Sequence, residues 1–234
     1  MHPLDDAYQR IKAAKKDLAN LKRVCERIEK AKRESVSIEQ EPQRIIYLPN
    51  GQRLAFGGLH VRTGEVEVPA NVADKVGAIV YRLRASLDYL IYELAILDSG
   101  RVQYGTQFPI EDGEDVFWSK RNTLLKGVSD EHVAAIKRLQ PCDGCEWTRR
   151  LRILSNPDKH RKLTAVLGQS GVDLLTAPTI KTAQGRVIDW SRVNVNPQAV
   201  AVISFDDGTP VIQTLQQLLS QVTNVLDQFK PEFQ

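Results

Sequence analysis

Asn71-Val-Ala-Asp-Lys-Val-Gly-Ala-Ile-Val-Tyr-Arg-Leu-Arg-Ala-Ser-Leu-Asp-Tyr-Leu-Ile-Tyr-Glu-Leu-Ala-Ile-Leu97 is the stretch from which the fold can be read. Val72, Val76, Ile79, Val80, Leu83, Leu87, Leu90, Ile91 and Leu94 recur with helical period and make one broad apolar face. A long helix over 72–97 follows, with Asn71 as its N-cap and Gly100 just past its end. A helix with so wide an apolar face belongs at the centre of a bundle.

Working towards the N-terminus, Leu4, Ala7, Ile11, Ala14, Leu18, Leu21, Cys25 and Ile28 alternate spacings of three and four. They form a heptad seam on a helix over 4–33. The seam needs a partner, either another helix of this chain or a second copy in a homodimer. Between the two helices, Arg44–Leu48 and Gln52–Phe56 flank Asn50-Gly51 and read as a hairpin. Leu59–Arg62 and Glu65–Val68 extend it to a meander over 44–68.

Working towards the C-terminus, Gln107-Phe108-Pro109-Ile110 reads as an extended loop. Short helices are expected over Glu114–Leu124 and Asp130–Leu139, the second capped by Ser129. A helix from Trp147 to about Val166 is interrupted or restarted at Asn156-Pro157. Period-two stretches at Asp173–Ala177, Thr179–Lys181, Arg186–Asp189 and Val200–Phe205 read as antiparallel strands, with turns at Gln184-Gly185 and Asp206-Asp207-Gly208. Thr209-Pro210 then opens a last helix over 211–229. The expected fold is therefore α+β: a bundle of long helices with an inserted β-hairpin or meander, a C-terminal antiparallel sheet and a final helix. It is read as a single domain over 1–234, with its helical core at 71–166 and its later strands at 172–205.

No apolar run reaches the roughly 18–20 residues that span a bilayer, so no membrane partner is expected. The N-terminus lacks the charged and apolar regions of a signal peptide, and three cysteines are an odd number for a disulfide framework. A cytoplasmic, reduced protein is the expectation. The net charge of +3 implies little, but its distribution does. Arg10–Arg33 holds ten Lys/Arg against three Asp/Glu, and Arg149–Lys162 six against one. Two basic helices could offer an electrostatic footprint to nucleic acid, the alternative being solvated helix faces.

Three groups of residues could carry chemistry. In Ser155-Asn156-Pro157-Asp158-Lys159-His160-Arg161, Asn156, Pro157 and Asp158 are explained as a helix start. His160 is not, and beside Lys159 and Arg161 it could act as a general acid or base near an anionic phosphate. The plain alternative is a His bonded to a carboxylate of a neighbouring helix. In Arg82-Leu-Arg84-Ala-Ser-Leu-Asp88, Arg84 and Asp88 are neighbours one turn apart and could orient His160 or pair with Arg161. Cys142 and Cys145 match half a zinc site that His132 and His160 could complete in principle. With no second Cys pair, free thiols are the better reading, then a reversible disulfide, and no metal or cofactor is expected. Phosphate-loop, dinucleotide, zinc-protease and hydrolase-elbow motifs are absent from the sequence.

Arg82-Leu-Arg84-Ala-Ser-Leu-Asp88-Tyr89-Leu90, Thr106-Gln-Phe-Pro-Ile110, Leu139-Gln-Pro141 and Leu154-Ser-Asn-Pro-Asp-Lys-His-Arg161 together resemble an uncharacterised bacterial protein group. In that group a helix commonly reads Leu-Arg-Ser-Ala-Leu-Asp-His-Leu and a later one carries Asn-x-Asp-Lys-His-Arg. The likeness spans roughly residues 77–163 and implies no particular activity. The same helix also resembles that of HEPN domains, many of them metal-independent RNases of toxin or defence systems, where an Arg is followed four residues later by a His. Arg84 matches the Arg, but Tyr89 stands at the His position, and a phenol with a pKa of about 10 cannot be the same base. That role would pass to His160. Two functional expectations result. The first is a non-enzymatic binding or regulatory protein, nucleic-acid associated, whose Arg/Asp/His cluster braces the bundle. The second is a HEPN-like RNase with His160, Arg84 and Asp88 as catalytic groups and Asn156, Lys159, Arg161 and Arg82 as binding groups.

Overall fold

The computed structural model describes residues 2–40, 44–47, 49, 51, 53–56, 59–156, 163–176, 179–182, 185–188 and 194–233. The chain divides into two compact units. The first comprises Met1–Val24, Pro69–Leu163 and Ser204–Gln234, and the second Cys25–Val68 and Thr164–Ile203. The fold is a mostly helical α+β arrangement, as expected.

The first unit is helical. It contains the N-terminal part of α1 (Asp5–Glu34), then α2 (Ala70–Ser99), α3 (Glu114–Ser119), α4 (Asp130–Lys137), α5 (Glu146–Ser155) and α6 (Val211–Phe229). A 3₁₀ turn over Lys230–Phe233 follows α6. α2 packs against both α5 and α6. Its Leu83, Leu87, Leu90, Ile91 and Leu94 are fully buried, each contributing about 1.5–3 kcal/mol by leaving water. Gly100 ends α2 with φ +69°, the left-handed conformation glycine adopts without Cβ strain, and its N–H reaches Ile96 O at 2.8 Å. The helix begins two residues earlier than the sequence implied. Pro69 occupies the cap, and the Asn71 side chain makes no capping bond.

The N-terminal seam finds partners within the chain. Leu4, Ala7, Ile11, Ala14, Leu18 and Leu21 are all buried. Polar pairs fix α1 beside its neighbours. The Ser86 hydroxyl lies 3.3 Å from Ala7 O, and the Tyr8 hydroxyl donates to Asp227 at 2.7 Å. Burial, together with the Asp227 carboxylate, holds the Tyr8 phenol above its usual range.

The second unit is a set of two-stranded pairs. β1 (Val36–Gln40) pairs antiparallel with β4 (Leu59–Thr63), and between them in sequence β2 (Arg44–Tyr47) pairs with β3 (Arg53–Phe56). The hairpin matches expectation, and Gly51 carries φ +77° in its turn. The third and fourth stretches of the expected meander do not. Leu59–Thr63 returns to Val36–Gln40, a short alternating stretch outside the expected meander, and Glu65–Val68 is irregular. The later strands repeat the nesting. β5 (Thr164–Thr176) is bonded to β8 (Asn194–Ser204), and β6 (Thr179–Thr182) pairs antiparallel with β7 (Gly185–Ile188).

Two helix extents are corrected. α3 stops at Ser119 and continues as turns to Gly127 instead of running to Leu124. α5 stops at Ser155, and Thr164 already belongs to β5, so no helix reaches Val166. Pro157 supplies the reason for the stop. A residue before proline is disfavoured in the helical region, and Asn156 is extended at φ −85°, ψ 108°.

Candidate functional site

Arg84 and Asp88 sit one turn apart on α2, 3.6 Å from each other, at the edge of its buried face. Both turn to the same residue. Asp88 Oδ1 accepts the Phe108 amide at 2.9 Å, and the Arg84 guanidinium donates to the Phe108 carbonyl. Phe108 is fully buried in the loop between α2 and α3 and belongs to no strand that would satisfy its backbone. Pro109 follows and has no amide to contribute. The Arg/Asp pair therefore takes the place of a strand partner. Burial lowers the readiness of Arg84 to stay charged and raises the Asp88 carboxyl. Their mutual attraction, and the Phe108 amide at Asp88, act in the opposite direction.

The rest of the loop is tethered in the same manner. Gln140 is fully buried: its Oε1 accepts the Glu111 amide at 3.0 Å and its Nε2 donates to Ile136 O at 3.1 Å. Arg152 of α5 donates to Ile110 O at 3.1 Å and pairs with Asp112. The motifs Arg84…Asp88, Phe108-Pro-Ile110 and Leu139-Gln-Pro141 thus meet in one backbone-holding network.

This alters the reading of α5 as a basic surface. Arg149 pairs with Asp112 at 2.8 Å and Glu146 at 2.6 Å. Arg150 bonds Asp207 and Thr209 and lies over the Phe205 ring, 5.1 Å from its centre. All three arginines of α5 hold loops in place. A run of exposed cations lies on α1 instead, where Lys12, Lys15, Lys16 and Arg23 face solvent. Arg82 of α2 pairs with Asp17 at 2.9 Å and donates to Ala78 O at 3.3 Å.

Asn156 closes α5, its amide reaching Ile153 O at 3.3 Å, so it acts as a helix end within the described chain. Lys159, His160 and Arg161, with the helix start expected at Pro157, lie outside the described residues. Cys25, Cys142 and Cys145 carry no disulfide. Burial, with Glu29 nearby, pushes the Cys25 thiol up to about 11, and burial also raises Cys145. Among the described residues no group of three or more His, Cys, Asp or Glu could hold a metal ion, and no helix is long and apolar enough to cross a membrane.

One polar pair was not anticipated. His132 Nδ1 meets Asp98 Oδ2 at 2.8 Å, with both side chains 12% exposed. His132 had drawn notice only as a potential partner of Cys142 and Cys145. The useful signal was its place in the first turn of a helix capped by Ser129, whose hydroxyl accepts the His132 amide at 3.3 Å.

No family model matches the chain, and no curated protein or solved structure is detectably similar to it.

Proposed function

We propose that the chain is a non-enzymatic binding or regulatory protein of the cytoplasm that associates with nucleic acid through the exposed basic face of α1. The observation that carries this reading is the engagement of Arg84 and Asp88 with both backbone polar atoms of Phe108. The Arg84 guanidinium and Asp88 Oδ1 hold a buried loop, which is a bracing role. The pairing of Arg149, Arg150 and Arg152 within the fold supports the same division of labour, leaving α1 to meet phosphate. Three cysteines without a disulfide suit a reducing compartment.

The test is fluorescence anisotropy of the full chain with a labelled single-stranded RNA across a salt series. Wild type is expected to bind with a negative slope of log K against log[salt], about 0.7 for each phosphate neutralised. Replacing Lys12, Lys15 and Lys16 together by Glu should weaken binding and flatten that slope. A wild-type protein that binds no nucleic acid at low salt overturns the proposal. RNA cleavage that disappears in His160→Ala overturns it in favour of a HEPN-like RNase.

A further inference from the structure

We infer that the cavity beside the Arg84/Asp88 pair receives an unpaired nucleobase, with the adjoining phosphate facing Arg10. This rests on the nucleic-acid reading above and names single strands as the partner class. A cavity of about 420 Å³ opens on α2, lined among the described residues by Asp88, Tyr89, Tyr92 and Thr106. Its size falls within the range of small-molecule sites, about 300–1,000 Å³. Tyr89 also belongs to the wall of a second hollow of about 340 Å³, which includes Asp6, Arg10 and Arg82. The two adjoin across one ring.

The lining suits a base. Tyr89 and Tyr92 are three residues apart on α2 and share one side of the helix, and a base stacks on a phenol ring whatever its identity. Asp88 uses Oδ1 to hold the Phe108 amide, so Oδ2 remains to accept an N–H from a ligand. The Arg84 guanidinium, 3.6 Å away, already offsets the charge of that carboxylate. A neutral planar ligand with N–H donors is therefore a better occupant than an organic cation. In the second hollow, Arg10 lies over the Tyr89 ring, 4.6 Å from its centre, and Nη2 donates to the Tyr89 hydroxyl at 3.1 Å. That leaves further guanidinium donors for a phosphate. Arg82 is paired with Asp17 at 2.9 Å, so Arg10 is the guanidinium that this hollow offers to a phosphate. Exposed Lys12 and Lys16 of α1 continue the cationic run along the same helix.

The experiment measures anisotropy of labelled oligo(rC) and oligo(rU) 12-mers with the full chain and with Tyr92→Ala, Tyr92→Phe and Thr106→Trp. Cytosine offers the Asp88 carboxylate an exocyclic amino donor, whereas uracil offers only its ring N3–H flanked by two carbonyls that a carboxylate repels, so oligo(rC) is expected to bind several-fold tighter. Tyr92→Ala should weaken both by about tenfold, as loss of one stacking partner does, and Tyr92→Phe should stay within about twofold. Thr106→Trp fills the cavity from the loop without altering α2 and should match Tyr92→Ala even if the latter folds poorly. The salt slope should be unchanged in all three variants. If the chain binds both 12-mers with a steep salt slope while Tyr92→Ala and Thr106→Trp bind as wild type, the inference falls and the parent reading stands. If the chain binds neither 12-mer, both fall.

Discussion

Asp98 Oδ2 accepts from both the His132 ring at 2.8 Å and the Ser129 amide at 2.7 Å, tying the last turn of α2 to the first turn of α4. The carboxylate thereby supplies an acceptor to a helix N-terminus, where backbone N–H groups have no intrahelical partner. Both side chains are nearly buried, so water cannot replace a lost bond. Asp98→Ala should cost about 2–4 kcal/mol, since each orphaned buried group costs roughly 1–3. Asp98→Asn keeps an acceptor and should cost less than half as much. Urea denaturation measures both, and equal stability of wild type and Asp98→Ala would refute the role.

The Phe108 clamp gives a different ordering of variants. Asp88→Asn retains an oxygen for the Phe108 amide and removes a carboxylate whose charged form burial disfavours. These effects oppose each other, so its cost should be under about 1 kcal/mol. Arg84→Ala leaves the Phe108 carbonyl without its donor and the part-exposed Asp88 without its counter-charge, and should cost about 1–3 kcal/mol. Hydrogen exchange gives a local readout: the Phe108 amide should exchange faster in Asp88→Ala than in Asp88→Asn. The pH dependence has a definite sign. A carboxyl raised on folding binds its proton more tightly in the native state, so its contribution is present below the unfolded value near 4 and falls as pH rises through the native value. Asp88→Asn should therefore lose less stability than wild type between pH 4 and 7. A steeper loss in the variant would contradict the burial of Asp88.

Local signals account for what was legible in the sequence. The face of α2, the Ser129 cap, the Gly100 stop and the opening of α6 after Pro210 each depend on residues within two turns of one another. β1 was missed because its partner is remote, Val36 facing Thr63 across the intervening hairpin. The site divides the same way. Arg84 and Asp88 are neighbours by helix geometry alone, but their target is a loop backbone 24 and 20 residues further on, and a backbone amide has no sequence signature. Arg149, Arg150 and Arg152 looked like an open basic face because two of the carboxylates that bind them, Asp112 and Asp207, lie elsewhere in the chain.

Gly127 tests the packing of the turns after α3. Its φ of +82° lies in the left-handed region, and a Cβ there would stand 2.8 Å from the Gln103 side chain. Gln103 is itself nearly buried and donates to Ser99 Oγ at 3.2 Å, so it has little room to withdraw. Gly127→Ala combines backbone strain with this clash and should cost about 1–3 kcal/mol, or roughly 2–4 °C of Tm per kcal/mol for a chain of this length. Gly144, also at positive φ but with open space around its Cβ position, should lose less as Gly144→Ala. Differential scanning calorimetry compares the two, and a larger loss at Gly144 would contradict the assigned contact.

The Arg150–Asp207 pair sets an acid limit on one junction of the first unit. Asp207 accepts from Arg150, and its Oδ1 also receives the Thr209 amide at 3.0 Å and hydroxyl at 2.6 Å in the turn leading to α6. Foremost through the Arg150 bond, these donors hold its carboxyl well below the ordinary carboxylate range. A carboxyl depressed on folding stabilises above the unfolded value near 4, and the contribution is lost as pH falls towards the native value. The Asp207 side chain is 48% exposed, so water screens the pair and its worth is about 0.5–1 kcal/mol. Asp207→Asn preserves the turn acceptor but not the charge. Its Tm should lie a few degrees below wild type at pH 6–7, and the gap should narrow steadily as pH falls below about 4. A gap that persists unchanged to pH 2 would show that the carboxylate charge contributes nothing to this junction.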